Sequence, residues 1–243
     1  MENDPKLQND KDLIPGIIKL VELLDKYKNI ENVEIEIRLG YIETDPHSFF
    51  DTNITQDYYD KINDTLSTYN NWNYDSDKTT TDYYYDNNLR LSIDTEGNRS
   101  AMRKVRLVDV DMAYDSGPFD IRISISQEIP IDPNDVGGNN LKMSRNKKRN
   151  SRIYDKWKFD LSKVITENNG LNKTSYEFEI EIDNPFDTLK KYKNDSMYVA
   201  HSTLLKLRQI INICEAPEDL EVSTMEIISE KIKGDPIYSG SIP

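Results

Sequence analysis

The stretch that most narrows the folds open to this chain is VEIEIRLG, Val33 to Gly40. Val33, Ile35, Ile37 and Leu39 alternate strictly with Glu34, Glu36 and Arg38, the period of a strand with one apolar and one ionised face. Same-face residues sit roughly 6.5–7 Å apart along a strand, so Glu34 and Glu36 aim two carboxylates at one region and repel unless cations lie between them. The device recurs in YEFEIEID, Tyr176 to Asp183, where Glu177, Glu179 and Glu181 share one face and Phe178, Ile180 and Ile182 the other. Either strand alone is accounted for by a half-solvated face. Two of them, far apart in sequence, raise the question whether they face each other across a site.

A chain of 243 residues buries a substantial core without disulfides or a structural metal. It is highly charged yet rich in aromatics, which argues for a globular fold rather than disorder. The net charge of −13 repels nucleic acid, so any RNA contact must come from a local basic lining. Cys214 is the single cysteine, which excludes an intramolecular disulfide framework. No signal-peptide core or membrane-length apolar run is present, so a soluble protein in a reducing, intracellular compartment with no membrane contact is expected. The abundance of Asn, Asp, Lys, Ile and Tyr fits an A+T-rich genome.

The pattern predicts helices over residues 14–28, 56–69 and 197–213 packing on the outside of a sheet, with a short helix after Asn184-Pro185. A single domain is expected over 1–233, with 220–232 open to one more helix and 234–243 a tail or linker. Strand candidates with period two run through TTTDYYYDNNLRLSID, turning at Asp86-Asn87-Asn88, then AMRKVRLVDV, FDIRISISQEIP, Lys147 to Ile153 and Lys156 to Val164. With the two acidic strands they make about eight.

Nearly all pair an apolar face with an ionised one of mixed sign. Either the apolar faces form a sandwich core with charges outside, or they turn outward under helices while the charges line a tunnel. Carboxylates gather on the first and last strands, and Arg and Lys on those between. That clustering favours the tunnel, and it suits a divalent ion bridging to a polyphosphate; all-oxygen donors select Mg²⁺ or Mn²⁺ over zinc. The fold expected is therefore α+β, an antiparallel eight-stranded β-barrel enclosing a charged tunnel and flanked by helices.

These residues resemble the triphosphate tunnel metalloenzymes, and among them the RNA triphosphatases of fungal and DNA-virus mRNA capping. The likeness covers roughly Val33 to Asp183 and rests on the opening ExExR (Glu34, Glu36, Arg38), the closing ExExE (Glu177, Glu179, Glu181), and a basic strand followed by Asp160-Leu161-Ser162. Arginine in the opening strand leans toward the capping branch, and the compositional bias toward a large DNA virus, which implies a viral factory, virion or host cytoplasm. The resemblance implies that Glu34, Glu36 and Glu181 hold Mg²⁺ or Mn²⁺ with Glu179 adjoining, and that Glu128 orients the attacking water. It implies that Arg90, Lys104, Arg106, Lys147 and Arg149 contact phosphates, while Asp160, Ser162 and Glu177 hold those basic groups. Arg38 and Arg122 are either substrate ligands or ion-pair partners inside the tunnel. RNKKRNSR also accommodates a register with Lys148 and Arg152 inward, and a one-residue slip flips the whole strand.

The implied activity is removal of the γ-phosphate from 5′-triphosphate RNA, the first step of capping. The partners implied are the nascent RNA end and a guanylyltransferase module in cis or trans, since the KxDG motif of that activity is absent. Alternatives are a tunnel phosphatase acting on tripolyphosphate or nucleoside triphosphates, a noncatalytic polyphosphate-binding barrel, and an interaction module with merely solvated charges. No GxxxxGK[ST] loop is present, Cys214 lacks a phosphate loop, and His47 and His201 form no catalytic spacing.

Overall fold

The computed structural model of the protein describes residues 5–168 and 170–215, with side chains from residue 12 onward. Helix α1 spans Pro5–Tyr27 and leads into β1 (Val33–Glu43), the short β2 (Phe49–Asp51) and α2 (Gln56–Ser67). Strands β3 (Tyr74–Tyr85), β4 (Leu89–Asp94), β5 (Arg99–Met112), β6 (Asp120–Ile131), β7 (Leu141–Tyr154), β8 (Trp157–Asn168) and β9 (Leu171–Ile182) follow, then α3 (Pro185–Lys191) and α4 (Ser196–Glu215). The strands run β1-β6-β5-β4-β3-β7-β8-β9, and β9 pairs back onto β1, closing an antiparallel barrel of eight with β2 attached to the end of β1.

The outward faces of β1, β6, β8 and β9 are apolar. Ile35, Ile37 and Leu39, Ile121, Ile123 and Ile125, Trp157, Phe159 and Leu161, and Phe178, Ile180 and Ile182 are buried with Leu20 and Leu24 of α1, Ile62 and Leu66 of α2, and Leu204, Leu207, Ile210 and Ile211 of α4. Helices therefore cover β1, β6, β8 and β9. Across the barrel, the outer wall carries only a small cluster of Leu91, Ala101 and Val136 under the 132–140 loop. The β3–β4 turn places Asn87 and Asn88 at φ 60° and 58°, the left-handed backbone that asparagine tolerates.

Several boundaries differ from expectation. Helix α1 begins before residue 14, so Pro15 lies inside it rather than near its start. Burial of Leu13, Ile17, Leu20, Leu23 and Leu24 along one stripe offsets the roughly 3 kcal/mol that an interior proline costs. Strand β2 was not expected, and β7, β8 and β9 extend well beyond the segments read from alternation. Residues 220–232, the limit at 233 and the tail from 234 lie outside the described residues. No described helix is long and apolar enough to cross a membrane.

Candidate active site

Register fixes which side chains share the lumen. Glu34, Glu36 and Arg38 of β1 stand opposite Ser126, Ser124 and Arg122 of β6, and Glu36 and Arg38 stand opposite Glu181 and Glu179 of β9. Glu128 continues the β6 row and faces Lys104 on β5. On the far wall Arg90 pairs with Met102 across β4–β5, and Lys147 and Arg149 of β7 lie opposite Val164 and Ser162 of β8. Asp160 and Ser162 in turn face Glu179 and Glu177. Lys147 and Arg149 therefore point inward. Lys148 and Arg152 take the outer face, where Arg152 is buried and donates to Ser67 of α2 at 2.9 Å.

Most of the lining cations are tied to carboxylates. Arg38 donates to both oxygens of Glu36 at 3.1 and 3.0 Å and lies 2.8 Å from Glu179, so it is an ion-pair partner inside the tunnel. Arg149 reaches Asp160 at 2.5 Å, Glu179 at 2.7 Å and Ser162 at 3.2 Å. Asp160, 0% exposed, also receives Lys158 at 3.0 Å, and Lys158 donates to Glu181 at 2.7 Å. Burial disfavours the charged form of Glu179, yet Arg38 and Arg149 hold it well below the usual carboxylate range. Glu181 lacks such a clamp; burial pushes it up to about 7, against Lys158 and with the help of Glu34.

Two expected phosphate ligands are engaged elsewhere, and one lies apart. Lys104 turns into the carboxylates, donating to Glu34 and lying 3.8 Å from Glu36 and 3.3 Å from Glu128. Arg90 donates to Glu128 at 3.3 Å. Arg106 does not join the cluster: it is 70% exposed and pairs with Asp109 at 2.9 Å. A bulge between Arg106 and Val108 shifts the register there and carries it off the row. Arg122 is a structural partner, donating to Asp111 at 2.5 and 2.8 Å with its guanidinium 4.7 Å from the ring of Phe50.

Lys147 is the exception to this pairing. Its side chain is 7% exposed and, among the described residues, has no carboxylate within 4 Å. Burial, reinforced by Arg149, lowers its ammonium to about 8 against the pull of Glu179 and Glu177. Such a group faces the lumen as a buried cation.

The sequence reading did not single out Arg145, two residues before Lys147 on the same face, which donates to Glu177. It also left Lys158, Asp109 and Asp111 without roles. Glu177 does hold a basic side chain, but that of Arg145.

As the side chains stand, no three acidic, histidine or cysteine groups among the described residues converge on one point. The ammonium of Lys104 amid Glu34, Glu36 and Glu128 marks where the field favours a cation. Glu34, Glu36 and Glu181 offer oxygen donors alone, so they fit Mg²⁺ or Mn²⁺ in donor type and strand position once Lys104 and Lys158 turn aside.

The family model for the mRNA capping enzyme, beta chain, matches residues 18–206. Over 129 residues the chain is 26% identical to the mRNA-capping enzyme subunit beta of Debaryomyces hansenii, covering 47% of this chain and 26% of that protein. The chain thus spans about a quarter of the length of the curated relative it matches. Among solved structures, the Pct1 RNA triphosphatase of S. pombe superposes with a TM-score of 0.67 at 20% identity, over 80% of this chain and 91% of that one. The Mimivirus capping enzyme triphosphatase gives 0.53 at 17%, over 82% and 98%. Similar folds thus occur in a yeast and a viral protein alike. With most of its length matched and its eight strands closed around a charged lumen, the chain belongs to the mRNA capping enzyme beta-chain family, on the triphosphate tunnel fold.

Proposed function

We propose that the protein is a divalent-metal-dependent polynucleotide 5′-phosphatase that releases the γ-phosphate of triphosphate-ended RNA, leaving a diphosphate end. The observation that carries this reading is Lys147, a buried lumen cation with no acidic partner, flanked by Arg145 and Arg149 on one strand face. A bound polyphosphate supplies the missing anion and is worth more there than in water, because the site excludes solvent. Mg²⁺ or Mn²⁺ held by Glu34, Glu36 and Glu181, with Glu179 adjoining, would neutralise charge on the nonbridging oxygens.

The chain's own residues do the rest. Glu128, held by Arg90 and Lys104, orients a water in line with the γ-phosphorus. Lys147 and Arg149 bind the phosphate oxygens, joined by Arg90 and Lys104 when these leave their carboxylates. Asp160, Ser162 and Glu177 fix the angles of Arg149 and Arg145. The D. hansenii relative is named as a subunit, which supports a guanylyltransferase partner acting on the diphosphate end.

The test compares phosphate release from γ-labelled triphosphate RNA, ATP and tripolyphosphate with Mg²⁺ and with Mn²⁺. Turnover of RNA supports the reading. Turnover of ATP and tripolyphosphate alone assigns a small-molecule phosphatase, and binding without turnover a noncatalytic barrel.

A further inference from the structure

The rows of side chains that line the tunnel do not stop at its rim. On β9 the lumen-facing series Glu181, Glu179, Glu177 continues as Ser175, Lys173 and Leu171, and on β8 Asp160, Ser162 and Val164 continue as Thr166 and Asn168. Strand β1 covers β9 only around Glu179 to Glu181, so the outer half of the β8–β9 hairpin stands beyond the closed barrel as a lip. Facing it across a cleft of about 410 Å³ are Asp51 and Thr52. Arg145 and Glu177 form the inner boundary of that cleft, and Lys147 lies two residues deeper on the same face as Arg145.

On the β1 side this end is narrowed. A Cβ at Gly40 would fall 2.5 Å from the ring of Phe50, which therefore lies on the lumen side of β1, and that ring also stacks on Arg122 at 4.7 Å. The cleft opens next to it, past Asp51 and Thr52.

Its chemistry differs from the tunnel's. Along the β9 row carboxylates give way to a hydroxyl, then to an ammonium 74% exposed that lies 3.9 Å from Asp51, then to Leu171 at 77% exposure. Inorganic polyphosphate has no use for an exposed leucine. A nucleoside does, with an apolar base face, polar base edges and sugar hydroxyls, and in a chain it carries one further phosphate. The size falls in the range of roughly 300–1,000 Å³ usual for small-ligand pockets. Six residues of strand, roughly 20 Å, separate Lys173 from Glu179, which accommodates a triphosphate and one nucleoside in series.

We propose that this cleft seats the first nucleotide of an RNA whose 5′-triphosphate lies in the tunnel, with Lys173 on the first internucleotide phosphate, Asn168 on the sugar or base edge and Leu171 against the base face. The inference rests on the proposed triphosphatase reading and adds the direction from which the strand enters.

The test measures KM and kcat of the wild type, Lys173→Ala and Leu171→Ala on triphosphate-ended RNA and on tripolyphosphate, across a series of salt concentrations. Lys173→Ala is expected to raise KM for RNA about 3–10-fold more than for tripolyphosphate, and to lower the slope of log KM against log salt by about 0.7, one phosphate contact on a single strand. Leu171→Ala is expected to raise KM for RNA without changing the salt slope. In a parallel experiment with chelator present, triphosphate RNA bearing 4-thiouridine at its first position should crosslink within residues 164–173. Equal shifts on both substrates, or an unchanged KM for RNA with crosslinks elsewhere, overturn the inference while leaving the triphosphatase reading intact. A wild type that turns over neither substrate overturns both.

Discussion

Glu36 stands directly opposite Glu181 where β1 meets β9 and the barrel closes. Two carboxylates on one seam repel, and the seam is held by neighbouring cations, Arg38 on Glu36 and Lys158 on Glu181. Closing the barrel and assembling the acidic wall are therefore one event, and a hard cation entering there competes with side chains already in place.

The state of Lys147 sets a pH dependence for anion binding. Its ammonium is lowered to about 8 by burial. Below that pH it is charged and its own contribution to affinity is flat; above it, binding a polyphosphate must also take up a proton. Affinity for tripolyphosphate, measured by calorimetry in chelator, should weaken by up to about tenfold per pH unit above 8. Lys147→Arg should remove this decline, and an identical decline in that variant would contradict the assignment.

Gly40 sits where no side chain fits. An added Cβ would fall 2.2 Å from the carbonyl oxygen of Asp51 and 2.5 Å from Phe50. Gly40→Ala should push β2 off the end of β1 and destabilise the protein by about 1–3 kcal/mol, read as a lower melting temperature. An unchanged melting temperature would show that β2 is not seated on β1 as described.

Lys206 of α4 is a buried cation outside the site. It stacks 3.6 Å from the centre of Trp157 and donates to Ser202 at 2.7 Å, and burial lowers it to about 7. A base depressed in the folded state costs stability fully below its folded value, and the cost fades as pH rises toward the ordinary 10.5. Lys206→Met should raise stability at pH 7 by about 1–2 kcal/mol and flatten the gain between pH 7 and 10.5. A lower melting temperature would mean that the contact with Trp157 outweighs burial.

The barrel was legible because its strands carry strong alternation: β1, β6, β8 and β9 bury one face under helices, so spacing put Glu34, Glu36, Glu179 and Glu181 on one face, and the clustering of charge sign by strand turned that face inward. What escaped lacked that contrast. Residues 165–168 and 170–175 project past the rim with neither face buried, so the lip carrying Lys173 shows no period. Arg145 was missed because β7 starts at Leu141, six residues before the alternation became recognisable. The bulge between Arg106 and Val108 breaks strict alternation, which hid Asp109 and Asp111 and misdirected Arg106. Strand β2, three residues long, is too short to carry a period.

The central claim is that the carboxylates meeting at the β1–β9 seam hold the divalent ion used for γ-phosphate release. Phosphate release from triphosphate RNA should be measured alongside Mn²⁺ binding by spin resonance for the wild type, Glu36→Gln and Glu181→Gln, each checked for folding by circular dichroism. The account predicts that both variants fold, bind Mn²⁺ weakly and lose activity by on the order of 10²–10³-fold. A folded variant that binds Mn²⁺ and releases phosphate at nearly the wild-type rate would contradict it.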